Sequence, residues 1–480
     1  MSLGFHRFFC LAPPPPQHNS RFAGSELVVF HKYPAKPGFG SPRTKLELHL
    51  RAASITGSDA GYSEQLPDSE KKRTTQKIAG IDQDELLDPM VLADRDSFFC
   101  EFKGVHIHHK ICEENDQTEH SLHSHADSQL TYQTKKIGMP IILLHGFGAS
   151  VFSWERAMKP LAQVTGGKVL AFDRPAFGLT SRVNYSGASD DSKPLNPYSL
   201  AFSVLATLSF IDILAAEKAI LIGHSAGSLV AVDTYFEAPE RVAALILVAP
   251  AILAPYVLPK GVKGNQMRRE NQNQDNRSSS NIIENSFIRI GRTLSKFFVY
   301  IAQGIMQMLK GMVDMISSVY KKALKAVLCS AFGVMLVRII IDKFGIAAIR
   351  NSWYDATQIS SHTLCGYTKP LRVKDWDRAL VEYTIAMLTD VESESKPPLT
   401  KRLHEISCPV LIVTGDTDRL VPYWNSERLS EAIPGSCLEV IKNCGHLPHE
   451  ERVEEFIAVV QNFLQRVFGA SKEQLLQISA

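Results

Sequence analysis

Ala219-Ile220-Leu221-Ile222-Gly223-His224-Ser225-Ala226-Gly227-Ser228-Leu229-Val230 is the stretch on which the fold turns. Its apolar start, Ala219 to Ile222, has the length and composition of a strand buried on both faces. It runs into Gly-x-Ser-x-Gly and then into a plausible helix, Ala226 to Phe236. A serine on so tight a strand-to-helix turn is held out as a nucleophile, and the flanking glycines leave room for neighbouring chain. The pentapeptide alone arises by chance in roughly one chain in ten of this length. Its place between a strand and a helix gives it weight.

Similar apolar runs lie on either side: Ile141 to Leu144, Val169 to Phe172, Ala244 to Val248, Val410 to Val413 and Leu438 to Ile441. Strands alternating with helices, such as the one expected over Leu200 to Leu214, predict an α/β fold with a doubly wound, mostly parallel sheet. Functional groups then belong on the loops at the strand C-termini. Upstream, Phe98 to Phe102 and Val105 to Ile111 alternate as a hairpin turning at Lys103-Gly104. The core is expected in two parts, 97–253 and 377–470, separated by a helical cap inserted over 254–376.

Hydroxyl nucleophiles need a base in contact and an acid that orients the base. Two carboxylates, Asp416 and Asp418, follow the Val410 strand in Gly415-Asp416-Thr417-Asp418-Arg419-Leu420-Val421-Pro422. Two histidines, His446 and His449, follow the Leu438 strand in Gly445-His446-Leu447-Pro448-His449. With His145-Gly146-Phe147-Gly148 after the Ile141 strand, these co-linear motifs resemble the α/β-hydrolase superfamily, of the plant plastid type, over about 97–253 and 377–467.

The resemblance implies Ser225 as nucleophile, Asp418 as acid and His446 as base, with Asp416 bracing its loop and His449 packed or exposed. It implies an oxyanion hole from the backbone N–H groups of Phe147 and Ala226. His145 and His224 are expected to bond loop backbone. Asp173-Arg174-Pro175-Ala176-Phe177-Gly178 resembles the loop after the fourth strand of small-molecule members. Relatives with aspartate at the elbow cleave epoxides or carbon–halogen bonds, and serine excludes their mechanism. The expected activity is hydrolysis of a carboxylic ester, apolar or lipid-like, with no cofactor and no metal. A C–C bond hydrolase using the same three residues, or a non-turnover small-molecule receptor on the same fold, are the alternatives.

Composition limits the partners. A net charge of +2, with 45% hydrophobic and 21% charged residues, offers no basic stripe for nucleic acid. Residues 1–53 hold Glu26 and Glu47 as their only acids against seven Lys and Arg, and Pro13 to Pro16 break any signal-peptide core. That composition is read as a plastid transit peptide, with a mitochondrial or cytoplasmic location as alternatives. Residues 54–96 read as a polar, disordered linker. The scattered cysteines read as reduced thiols of an intracellular compartment, and a Cys437–Cys444 disulfide is disfavoured. His106, His108, His109, His120, His123 and His125 lack the spacing of a metal site.

Within the cap, Ile301, Ile305, Met308, Met312, Met315 and Val319 recur at helical spacing and are read as helix–helix core. Their Met-rich character also suits an adaptable surface over a pocket or bilayer. The apolar run Ala326 to Val337 is too short to span a membrane, so any membrane contact is peripheral, through the cap.

Overall fold

The apolar runs pair into one sheet. The computed structural model describes residues 76–114, 136–185, 195–255, 318–389 and 397–469, with four isolated positions between 307 and 315. A short ladder of β1 (Lys77–Ile78) and β2 (Ile81–Asp82) precedes the main strands. These are β3 (Phe98–Phe102), β4 (Val105–Cys112), β5 (Ile141–Leu144), β6 (Val169–Phe172), β7 (Ala219–His224), β8 (Val242–Val248), β9 (Val410–Gly415) and β10 (Cys437–Ile441). They lie in the order β10-β9-β8-β7-β5-β6-β4-β3, parallel from β10 to β6 and antiparallel over the last two pairs. The β3–β4 hairpin turns at Lys103 and Gly104, where φ is +49° and +77°. Two consecutive positive φ values give the strand twist a two-residue loop requires, and glycine accepts the second without strain.

The central strands read as unbroken apolar runs because both faces are covered. Ile142, Leu144, Leu221 and Ile412 face one core, packed with Phe202 and Phe210 of α2 (Leu200–Ile213) and Val230 of α3 (Ala226–Glu237). Ile141, Leu143, Ile220 and Val413 face the other, with Leu161 of α1 (Glu155–Thr165) and Phe456 of α11 (Val453–Phe468). Adjacent residues on a strand thus feed opposite cores.

Two boundaries differ from expectation. Residues 77–96 were expected in a disordered linker, yet β1, β2 and a short 3₁₀ turn at Pro89–Leu92 are folded. Long-range bonds hold them: Leu87 N–H donates to the Arg372 carbonyl and Lys374 N–H to the Leu87 carbonyl. The insertion also extends past 376. Between β8 and β9 lie α4 (Ser318–Cys329), α5 (Ala331–Ser352), α6 (Ser361–Thr368), α7 (Trp376–Thr389) and α8 (Leu399–Arg402). Helix α7 packs against α5 and belongs with the cap rather than the sheet, because its core contacts are Ala379, Tyr383 and Ala386 against Phe177. Helices α9 (Tyr423–Ala432) and α10 (Pro448–Glu451) follow β9 and β10.

Helices α4 and α5 meet at a bend of 71°. Ser330 Oγ accepts from Gly333 N–H and caps α5, and a side chain at Gly333 would come within 2.1 Å of the Leu328 carbonyl oxygen. Met308, Met315 and Val319 were expected in a helix–helix core. They are instead exposed (61–68%). Ile301, Ile305 and Met312, like residues 1–75 with the expected transit peptide, lie outside the described residues.

Candidate active site

Sheet order brings the sequence-predicted residues together. Strands β5 and β7 are neighbours, so the loop carrying Phe147 emerges beside Ser225. Strands β9 and β10 deliver Asp418 and His446 at the same edge, since all four strands are parallel.

Ser225 adopts φ +50°, ψ −116°, a conformation disfavoured for any side-chain-bearing residue. Strain of this kind costs about 1–3 kcal/mol and persists only where the surroundings over-determine it. Here Ser225 N–H donates to the Val248 carbonyl at 2.9 Å, and Ser228 and Ala251 N–H donate to the Ser225 carbonyl at 3.0 and 3.2 Å. The glycines are dictated by contact: a Cβ at Gly223 would lie 2.6 Å from the Gly227 carbonyl oxygen, and one at Gly227 only 2.1 Å from that of Leu144. Ala226 opens α3, and an N–H in the first turn has no intrahelical acceptor.

The other expected oxyanion donor is Phe147. His145 Nδ1–H donates to the Gly146 carbonyl at 2.8 Å, while its Nε2 accepts from Arg174 N–H at 3.0 Å. In a planar trans peptide, pinning the Gly146 carbonyl turns Phe147 N–H the opposite way. Burial first of all, and then the Arg174 guanidinium, lower the His145 pKa to about 3, so its ring is neutral and can both donate and accept.

Asp418 and His446 form a buried pair, Nδ1 to Oδ2, at 2.7 Å. The other oxygen of Asp418 accepts from Leu420 and Val421 N–H at 2.8 and 2.9 Å, so its loop holds the carboxylate in place. Asp416 takes the bracing part expected of it, accepting from Cys444 N–H at 3.3 Å. His449 is fully buried, its ring 4.2 Å from that of Trp154 and 4.6 Å from that of His224. Neither of its ring nitrogens has a hydrogen-bond partner, and burial lowers its pKa to about 3. It is a packing residue. His224 donates from Nε2 to the His446 carbonyl at 3.0 Å.

Ser225, His446 and Phe147 line one cavity of about 470 Å³ whose walls are largely apolar: Phe177, Ile341, Ile349, Trp376, Leu380 and Leu420 among them. Among the described residues no hydrogen bond joins Ser225 Oγ to the His446 ring. Such nucleophile–base contacts commonly tighten only when substrate is bound. Tyr367 also lines the cavity and donates to Glu450, whose carboxyl burial pushes up to about 8.

Several supporting residues carry no sequence signal. The His446 N–H donates to the Ser352 carbonyl at 2.7 Å, which ties the base loop to the end of cap helix α5. Glu451 bridges the same junction, accepting from Gly445 and Leu447 N–H on one oxygen and from Tyr354 N–H on the other. Asp173 is a buried hub that accepts from His108 Nδ1 (2.6 Å), Val151 N–H (2.7 Å) and Leu179 N–H (2.7 Å). Burial raises its pKa, but His108 and these bonds outweigh that and hold it at about 2. The other histidines of the expected cluster do not converge: His109 sits in the core against Phe98 and Phe210, His106 is exposed, and His120, His123 and His125 lie outside the described residues. Among the described residues no three potential metal ligands come together. Cys437 and Cys444 are free thiols.

Parallel strands, a strained serine elbow and an aspartate–histidine pair at one sheet edge define the architecture of a hydrolase of the α/β fold. The chain belongs to that family, the α/β hydrolase fold, whose model matches residues 139–453. An abhydrolase domain-containing protein of Caenorhabditis elegans, abhd-5.2, is 37% identical over 116 residues, which are 24% of this chain and 24% of that protein. This chain therefore matches about a quarter of that relative's length. A 2-hydroxy-6-oxononadienedioate/2-hydroxy-6-oxononatrienedioate hydrolase of Klebsiella pneumoniae is 26% identical over 336 residues, 68% of this chain and 87% of that protein. Among solved structures, a bacterial membrane phospholipase A is 17% identical with a TM-score of 0.46, covering 78% of this chain and 87% of that one.

Proposed function

We propose that the protein is a serine hydrolase that cleaves a carboxylic ester bearing an apolar, lipid-like group, through an acyl-enzyme on Ser225. The observation that carries this reading is the apolar cavity onto which Ser225 and His446 open, with Asp418 behind the histidine at 2.7 Å. Ser225 Oγ attacks the ester carbonyl carbon as His446 Nε2 takes its proton, and Asp418 stabilises the imidazolium. The backbone N–H groups of Phe147 and Ala226 receive the oxyanion, each contributing ~3–4 kcal/mol to the transition state. Collapse of the tetrahedral intermediate expels the alcohol, which takes the proton from His446. Water, deprotonated by the same ring, then attacks the acyl carbon, and its collapse releases the carboxylate and restores Ser225.

A fluorophosphonate probe tests the nucleophile: the parent is labelled and Ser225→Ala is not. Equal labelling of the two would remove Ser225 from the reaction. A series of p-nitrophenyl esters tests the substrate class, with kcat/KM expected to rise as the acyl chain lengthens from acetyl.

The likeness to the Klebsiella pneumoniae hydrolase supports a second reading, C–C bond cleavage by the same three residues. Turnover of a 2-hydroxy-6-oxo-diene acid, with none of any ester, would select it. The basic, acid-poor composition of 1–53 supports plastid import, and the apolar cap supports peripheral contact with a bilayer. A fluorescent-protein fusion of residues 1–53 in a plant cell tests import. Chloroplast signal is expected, and mitochondrial or cytoplasmic signal would overturn it.

A further inference from the structure

Helix α5 exposes far more large apolar surface than an ordinary surface helix. Two of its charged residues are bonded inward, Arg338 Nε to Asp377 Oδ2 at 2.7 Å and Asp342 Oδ1 to Ala79 N–H at 3.0 Å, while Lys343 and Arg350 are exposed. Phe332, Met335, Leu336, Ile339, Ile340 and Phe344 follow at spacings of three and four, and each is 40–63% exposed. A helix lying over a protein core normally carries its charges on that outer side. Large contiguous apolar surface on a protein marks a place of contact with something else.

The neighbouring helix indicates what that partner is. Val319 and Val327 of α4 extend the exposed apolar surface, and Lys321, Lys322 and Lys325 accompany them. Between Asp314 and Asp342 the sequence contains no acidic residue. An apolar face flanked by lysines that make no ion pair among the described residues is complementary to anionic head groups above acyl chains. No single described helix is long and apolar enough to cross a membrane. Helix α5 is further tied down by its inner face, where Ile341 and Ile349 line the catalytic cavity and Arg338 and Asp342 are bonded.

We infer that α4 and α5 form a docking surface for an anionic bilayer, with α5 lying in the interfacial plane and Lys321, Lys322 and Lys325 on the head groups. One helix then separates lipid from the cavity onto which Ser225 opens, which fits an ester drawn from the bilayer. That substrate route rests on the proposed hydrolase activity, whereas the docking does not.

Co-sedimentation of the full chain with phosphatidylcholine vesicles, with and without phosphatidylglycerol, tests it. The protein binds the mixed vesicles at least ~10-fold more tightly than the neutral ones, and less so at high salt. Phe332→Glu with Phe344→Glu, and separately Lys321→Glu with Lys322→Glu and Lys325→Glu, each weaken binding at least ~10-fold, while fluorophosphonate labelling of Ser225 persists as a sign of intact folding. Parent protein that ignores vesicles, or variants that bind as the parent does, would overturn the inference. So would light scattering that shows a parent dimer split by Phe332→Glu with Phe344→Glu, since the face would then join two copies. Vesicle binding by a parent that the probe never labels would leave docking standing and remove the hydrolase reading alone.

Discussion

The loops at the C-terminal edge of the sheet and the outer face of α5 obey opposite rules. Around Asp418 and His446 the catalytic polar groups are buried and held within the chain: the Asp418 carboxylate alone meets His446, Leu420 and Val421. On α5 large apolar side chains point out beside the exposed Lys343 and Arg350, Phe344 at 63% exposed. Internal contacts are enough to define the first region. The second is left incomplete by this chain's described contacts, and the proposed bilayer contact would complete it.

The largest effect is expected where the internal contacts are densest. Asp418→Asn keeps an oxygen for Leu420 and Val421 N–H, so the loop holds. The amide nitrogen then faces His446 Nδ1 and favours the tautomer with the proton on Nε2, which cannot accept one from Ser225. We expect kcat to fall ~10³–10⁴-fold, or about 4–5.5 kcal/mol, with little change in Tm. A steady-state assay beside a thermal melt checks this, and a large drop in Tm would mean that the pair is chiefly structural. Asp173→Ala breaks the same kind of pairing away from the serine. It strands His108 and two buried N–H groups and should cost about 3–5 kcal/mol in urea unfolding. A loss below about 1 kcal/mol would show that the hub is not needed for folding.

The comparison also explains what could be read in advance. The elbow was legible because backbone contacts of 2.6 and 2.1 Å at Gly223 and Gly227 force glycine at a fixed spacing from Ser225. Strand ends narrowed the acid to Asp416 or Asp418 and the base to His446 or His449, and the family resemblance chose between them. Asp173 sat in plain view, but its partners lie 65, 22 and 6 residues away and only the folded chain joins them. The exposed apolar face of α5 was hidden for the opposite reason. The apolar run was visible, yet which side faced the protein depends on Asp377 and Ala79, far off in sequence. Met308, Met315 and Val319 were misread because helical spacing reports a face without saying what it faces.

A smaller effect should appear as pH falls, and again on the buried side of the comparison. Burial holds His449 neutral in the folded protein, with a pKa of about 3 against an ordinary 6.5. Below pH 6.5 the unfolded chain takes up a proton that the folded chain refuses, so stability is present above that pH and is lost as pH drops towards the folded value. His449→Phe keeps a ring against Trp154 but cannot titrate. Between pH 6.5 and 5 the parent should lose about 1.6 kcal/mol more than the variant in urea unfolding. Equal slopes would mean that His449 protonates in the fold as readily as it does unfolded.

The smallest effect belongs to the outer face of α5, and its smallness is the point. A phenylalanine packed in a core costs about 3–5 kcal/mol when cut back, because the site loses both transfer energy and close packing. Phe344 has no such packing on its outward side, and polar substitutions at exposed sites stay within about 0.5 kcal/mol. Phe344→Ser should therefore leave Tm almost unchanged in lipid-free buffer while reducing vesicle binding, an effect on the partner and not on the fold. If the same substitution instead lowered stability by about 3 kcal/mol without vesicles, the side chain would already be covered by protein, and the contrast between the two regions would vanish.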